Sequence, residues 1–305
     1  MSALALYTTI YPGVERYLAD WYESVRRQSD QAFRLWIGLD LLTIDSAKTA
    51  MGGDPEATWV PGEPGDSPAQ IRQRALAQIV KTCDAVVLVD SDDVLRPGRV
   101  ATARAMLADS DLTGCGLRLV DELGADMSAS LRLSPGAEPD NVLPRNNIFG
   151  LSNSAMRSDL LRRCLPIPAA VELVDWYLVS QAWLLGARFG FDNEVGMDYR
   201  QHDANMARVI PPFDIKQVTR DTERVRAHFR ILRESSLDGA VLHRLEEVAA
   251  VAADIETFHE RVVLRPALLE RYVRAVNKLE TAPLWWSSVA NPALRHMWTR
   301  EEETK

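Results

Sequence analysis

Asp84-Ala85-Val86-Val87-Leu88-Val89-Asp90-Ser91-Asp92-Asp93 decides the fold. Five apolar residues run directly into three carboxylates within four positions. A short continuous apolar run of this kind suits a strand buried on both faces. Side chains alternate along an extended chain, so Asp90 and Asp92 share a face at the strand's end. Ligands of open α/β sheets bind outside the carboxyl ends of strands. Carboxylates gathered there repel one another unless a cation joins them. Oxygen ligands of this type suit Mg²⁺ or Mn²⁺, which also takes substrate phosphates. The competing reading is local: Ser91, Asp92 or Asp93 caps a turn or the next helix.

Upstream, residues 4–10 read as a first strand, stopped by Tyr11-Pro12-Gly13. Val14, Tyr17, Leu18, Trp21 and Val25 recur at helical spacing, and the alternation of Phe33, Leu35, Ile37 and Leu39 marks a second strand ending at Asp40. Strand, helix, strand begins a parallel α/β sheet. Residues 52–68 read as loop, with a short strand at 58–60. Ser67-Pro68-Ala69-Gln70 has capping-box spacing with proline at the first helical position, and the helix it opens runs to about Thr82 with Arg72 and Arg74 near its start.

Downstream, a helix runs through Met106 and Leu107, and residues 115–120 read as a strand. Pro135, Gly136, Pro139 and Pro144 mark a long loop over 134–147, a length often tied to function. Ser152-Asn153-Ser154 reads as the cap of a helix through about Arg163. A further helix spans from about Val174 to Gly186, and two short strands follow at 188–191 and 196–200. From Pro212 to about 280 the pattern changes to long, charged, amphipathic helices.

The chain has 305 residues, 47% of them hydrophobic and 26% charged, an ordinary globular balance with room for a large core. A net charge of −8 argues against binding nucleic acid by phosphate neutralisation. Cys83, Cys115 and Cys164 are widely spaced, so a reducing compartment and no disulfide framework are expected. Neither a signal peptide nor a membrane span is expected, which points to the cytoplasm.

Read in order, these pieces resemble the family 2 glycosyltransferases, which have the GT-A fold. Tyr11 to Leu18 resembles the family's first strand-to-helix turn. Ser24-Val25-Arg26-Arg27-Gln28 looks like its Ser-Val-x-x-Gln helix, and Arg72-Gln73-Arg74-Ala75 like its Arg-Asn-x-Gly segment. Asp90-Ser91-Asp92-Asp93 is similar to its Asp-x-Asp motif. Val174-Asp175 resembles its Glu-Asp pair, and Tyr199-Arg200-Gln201-His202-Asp203-Ala204-Asn205 its closing Tyr-Arg-x-His-x-x-Asn segment. The resemblance covers roughly residues 3–206. Pro12, Gln73, Ala75 and Val174 depart from the family's Asn, Asn, Gly and Glu, and Leu39-Asp40-Leu41-Leu42 departs from its Asp-Asp-Gly-Ser.

The resemblance implies an α/β, GT-A-like, mostly parallel sheet flanked by helices, with a C-terminal helical extension. Residues 1–211 would form the transferase domain, split into a nucleotide-binding half (1–93) and an acceptor half (94–211), and 212–305 the helical region. It implies a metal-dependent inverting transfer from a nucleotide-diphosphate sugar to a hydroxyl of a glycan, a lipid-linked glycan or a small molecule. Asp92 would ligate Mn²⁺ or Mg²⁺ directly, Asp90 would be shared between metal and donor, and His202 would lie at the metal or diphosphate. Asp175 would be the base, with Glu172 its rival. Thr8, Thr9, Asp40, Arg72, Ser91 and Arg200 would contact the donor, Asp40 at the nucleobase and Arg200 at the diphosphate. Two other functions compete: a sugar-phosphate nucleotidyltransferase, and a non-catalytic nucleotide-sugar-binding protein. The Trp-rich stretch 283–289 either leans on a membrane surface or packs back onto the core or a partner.

Overall fold

The computed structural model describes residues 3–202, 205–235, 237–280 and 283–299, so Asp203 and Ala204 of the closing motif lie outside the described residues. β1 (Leu4–Ile10) is buried at all its positions. β2 (Phe33–Leu39) and β4 (Ala85–Leu88) pair with it in parallel, and β3 (Ala57–Pro61) pairs in parallel with β2. The continuous apolar runs of β1 and β4 follow from helices covering both faces of such a sheet. In α1 (Leu18–Arg26) and the turn before it, the stripe Val14, Tyr17, Leu18, Trp21, Val25 is buried throughout. α3 (Pro68–Thr82) starts at the expected capping box: Ser67 Oγ accepts from Gln70 N–H, and Gln70 Oε1 from Ser67 N–H at 2.9 Å.

The second half of the sheet mixes directions. β8 (Ser154–Arg157) is antiparallel to β4 and to β6 (Leu112–Val120). β9 (Phe189–Arg200) runs parallel to β6, β5 (Val94–Leu95) pairs antiparallel at its far side, and β7 (Asp126–Leu131) forms a hairpin with β6. The order is β3-β2-β1-β4-β8-β6-β9-β5, with β7 beside β6.

Two expectations change here. Ser152-Asn153-Ser154 does not cap a helix: Ser154–Arg157 fills the slot between β4 and β6, and α5 (Ser158–Cys164) begins only afterwards. Asn153 instead binds backbone, accepting from Gly150 N–H and donating to Cys115 O, both at 2.7 Å. Pairing across the sheet thus overrides a local cap signal. The two short strands after α6 (Val174–Leu184) are one, β9, whose register shifts opposite Cys115–Leu117 hide its continuity from the pattern. α2 (Ile44–Met51), β5 and β7 carry no signal strong enough to have been read.

The C-terminal helices α7 (Ile215–Glu234), α8 (Leu242–Phe258) and α9 (Pro266–Val276) pack against one another, and α10 (His296–Thr299) returns to α8. Phe258, Tyr272 and Trp298 meet edge to face with centroids 4.7–6.3 Å apart. Trp285 and Trp286 are each 5% exposed, so the Trp-rich stretch packs onto the core and the membrane-surface reading is corrected. Among the described residues no helix is long and apolar enough to cross a membrane.

Candidate active site

The acidic turn after β4 is held from three sides. Ser91 Oγ donates to the Thr9 carbonyl at 2.8 Å, tying the turn to the end of β1. Arg200, buried at the end of β9, donates its backbone N–H to Asp93 at 2.7 Å and its Nε to the Asp92 carbonyl at 2.9 Å. Ser152 Oγ lies between Asp90 and Asp93, within hydrogen-bond distance of both. A hydroxyl has one proton to donate, so it bridges two carboxyl groups cleanly only when one of them is protonated. Burial, then the charges of Asp92 and Asp90, pushes Asp93 well above the usual carboxylate range. Asp93 therefore suits the neutral role, and Asp90 and Asp92 remain for chemistry.

Asp90 and Asp92 face a cavity of about 550 Å³ at the carboxyl ends of β1 and β4. Asp92 Oδ2 accepts from the Tyr11 hydroxyl at 3.1 Å and lies 2.9 Å from His202 Nε2. The His202 ring leans on Tyr17, with centroids 5.2 Å apart. Burial, then the Asp92 charge, raises Asp90 to about 6, and Arg72, 3.9 Å away, opposes that rise. Asp40 also lines the cavity and is raised by burial. Among the described lining residues Arg72 is the only cation, against Asp40, Asp90, Asp92, Glu172 and Asp175.

Part of the lining is apolar, with Leu151, Val171, Leu173, Met206, Trp285 and Trp286 among its residues. Trp285 reaches it from the tail because residue 150 is glycine: a Cβ there would sit 2.8 Å from the indole. Trp286 stacks on Trp176 at 6.3 Å and adopts φ +62°, a left-handed conformation that costs a bulky residue roughly 1–3 kcal/mol. Asp175, in the first turn of α6, lines the same cavity. Burial raises it to about 6 against the backbone hydrogen bonds of its own helix start and the Asn147 amide.

Of the residues singled out in sequence, Thr9, Asp40, Arg72, Asp90, Asp92 and Asp175 line one cavity. His202 reaches it through Asp92. Three residues expected at the donor do not line the cavity. Thr8 is buried and does not line the cavity, because neighbouring side chains on β1 point to opposite faces. Ser91 is fully buried and serves the turn. Arg200 spends its guanidinium on the Asp92 and Glu122 carbonyls and on Asp20, with Tyr17 beneath it at 4.7 Å, and so braces the acidic turn. Glu172 touches the rim but pairs with Arg224 at 3.2 Å. Tyr11, Asn147, Ser152, Tyr199, Trp285 and Trp286 were not singled out as site residues: Tyr199 lies near the end of β9, and the others stand in a turn, loop or tail that only tertiary packing brings to the site.

Neither a family model nor a curated protein matches the chain. Solved structures do. Staphylococcus aureus TarS superposes with a TM-score of 0.55 at 15% identity over 90% of this chain and 48% of its own. The 1–349 form of TarS in complex with UDP-GlcNAc gives 0.51 at 14% identity over 90% and 88%. The mannosyltransferase PcManGT from Pyrobaculum calidifontis, in complex with GDP-Man and Mn²⁺, gives 0.54 at 13% identity over 98% and 88%. The chain has a GT-A glycosyltransferase fold. In this GT-A chain no three His, Cys, Asp or Glu among the described residues converge on a metal position. The chemistry of the donors nevertheless suits such an ion: the Asp92 carboxylate, hydrogen-bonded here to the His202 imidazole at 2.9 Å, and the Asp90 carboxylate supply oxygen ligands at the cavity. Ions of this type complete their shell with waters and substrate phosphates.

Proposed function

We propose that the protein is a metal-dependent, inverting glycosyltransferase that moves a sugar from a nucleotide-diphosphate donor to a hydroxyl acceptor. The observation that carries the reading is that Asp90, Asp92 and Asp175 line one cavity together. The ligands named for the solved neighbours, UDP-GlcNAc and GDP-Man with Mn²⁺, support a nucleotide-sugar donor and a divalent ion. Asp92 and His202 would hold Mn²⁺ or Mg²⁺, with Asp90 beside it. When bound, the ion supplies positive charge to the leaving diphosphate. Arg72 and Thr9 border the donor, and Asp40 meets the nucleobase.

Asp175 is the base in this reading. Its carboxylate takes the acceptor's hydroxyl proton as that oxygen bonds to the sugar's anomeric carbon. The bond from that carbon to the diphosphate breaks, and its electrons leave with the nucleotide. A base pushed up to about 6 is ionised at neutral pH yet close enough to it to accept a proton well. Glu172, committed to Arg224 at the rim, is the weaker candidate. The apolar wall of Leu151, Trp285 and Trp286 receives the acceptor. We place the enzyme in the cytoplasm, with residues 1–211 as the transferase unit and 212–305 as its helical support.

The test is thermal melting with UDP, GDP, CDP and dTDP, each with and without Mn²⁺, on the wild type and Asp92→Ala. A nucleotide at 100 times its Kd stabilises by about 2.7 kcal/mol. A Mn²⁺-dependent shift with one nucleotide, lost in the variant, is expected. No shift with any of the four sinks the reading.

A further inference from the structure

We propose that Asn147 is a positioning residue that aims the Asp175 carboxylate into the cavity. The proposal rests on Asp175 being the base. Asn147 is fully buried, and the backbone dictates which way its amide faces. Phe149 N–H donates to its Oδ1 at 2.9 Å, so the opposite end must be the NH₂ group. That group donates to the Phe149 carbonyl at 2.7 Å and to Asp175 Oδ2 at 3.2 Å. A flipped amide would set oxygen against oxygen at both partners and leave the Phe149 N–H opposed by a donor. The hydrogen bond to Oδ2 therefore restrains how the carboxylate turns about its own Cβ–Cγ bond.

The loop that carries Asn147 is itself fixed from far away. Two residues earlier, Arg145 Nη2 reaches Asp254 Oδ2 on α8 at 2.5 Å, and its Nη1 donates to the Ala290 carbonyl in the tail at 3.3 Å. Asp254 also accepts from Trp298 Nε1 at 2.9 Å. The C-terminal region thus holds the loop, the loop holds Asn147, and Asn147 holds the base. A misplacement of about 1 Å in such a group can cost on the order of 100-fold in rate.

Asn147→Asp separates this role from a purely structural one. It has the same shape and still accepts from Phe149 N–H, but it sets a carboxylate against Asp175. Asn147→Ala removes the contact altogether. The probes are UDP-GlcNAc and GDP-mannose with Mn²⁺, with water as acceptor and nucleotide release as the signal. Both variants should keep the melting temperature shift given by Mn²⁺ and nucleotide and the donor KM, while kcat falls about 10- to 100-fold. A second readout needs no turnover: ¹³C NMR titration of aspartate carboxyl carbons, with the Asp175 signal assigned by its loss in Asp175→Asn. Arg72 from α3, Asp90 after β4, the Trp176 amide and Asn147 all face this carboxylate or its field. Of these groups only Asn147 is altered in the alanine variant, and losing a donor to the charged form moves the midpoint upward. A folded Asn147→Asp or Asn147→Ala protein with wild-type kcat, or with an unmoved midpoint where no donor turns over, overturns the proposal. Turnover surviving in Asp175→Asn instead overturns the base assignment itself.

Discussion

The cavity lining has two sources, which the proposed function reads as a nucleotide end and an acceptor end, and they are built by opposite means. At the nucleotide end, β1, β2, β3 and β4 lie side by side; the end of β1 carries Thr9, and the turns after β2 and β4 deliver Asp40, Asp90 and Asp92, all within the first 93 residues. At the acceptor end, one wall draws Leu151 from a long loop, Asp175 from α6, Met206 from beyond β9 and Trp285 from the tail. The first end is a property of a parallel sheet, which gathers strand ends at one edge. The second exists only when segments more than 130 residues apart dock together. Substitutions at the nucleotide end should therefore act on ligand binding, and those at the acceptor end on turnover and global stability.

The largest expected effect is at the acceptor end. Asp175→Asn should lower turnover by about 10²- to 10⁴-fold while the nucleotide-dependent melting shift persists. Loss of that shift together with activity would erase the division between the two ends. Trp285→Ala should destabilise the protein by roughly 3–5 kcal/mol in denaturant titration, since the indole is buried and wedged against Gly150. An effect below about 1 kcal/mol would show the tail to be dispensable for the wall.

The pH dependence sharpens the contrast. Asp175 is raised from 3.8 to about 6, so the metal-free folded state binds a proton more tightly than the unfolded chain. This group's penalty is fully present above pH 6 and is relieved as pH falls from about 6 toward 4. Asp175→Asn should accordingly melt higher than the wild type at pH 7.5, by at most about 3 kcal/mol, and the gain should vanish near pH 4. An unchanged difference across that range would mean the carboxylate is not strained by burial. The smallest effect belongs to the nucleotide end. Ser67→Ala removes the cap of α3 and should cost about 1 kcal/mol in chemical denaturation.

Much of this was legible beforehand. The apolar run 85–89 ending in carboxylates, the stripe on α1, the alternation in β2 and the capping box of α3 are all local patterns, and the structure has each where the pattern puts it. The failures share a cause. Ser152-Asn153-Ser154 looks like a cap to its neighbours in sequence, yet β4 and β6 had an open slot that Ser154–Arg157 completes. The contacts of the Arg200 guanidinium with Asp92, Glu122 and Asp20 likewise join segments far apart in the chain, which no local pattern announces.

The sequence alone determined the parallel half of the sheet, its helices and the acidic turn that follows β4, because backbone periodicity and caps act within a few residues. Only the tertiary structure decided which carboxylates face the cavity, which arginine braces them, and that a loop asparagine and a tail tryptophan reach the same site. Those outcomes depend on contacts between distant segments, where burial and the pairing of buried polar groups, not local propensity, select the partner.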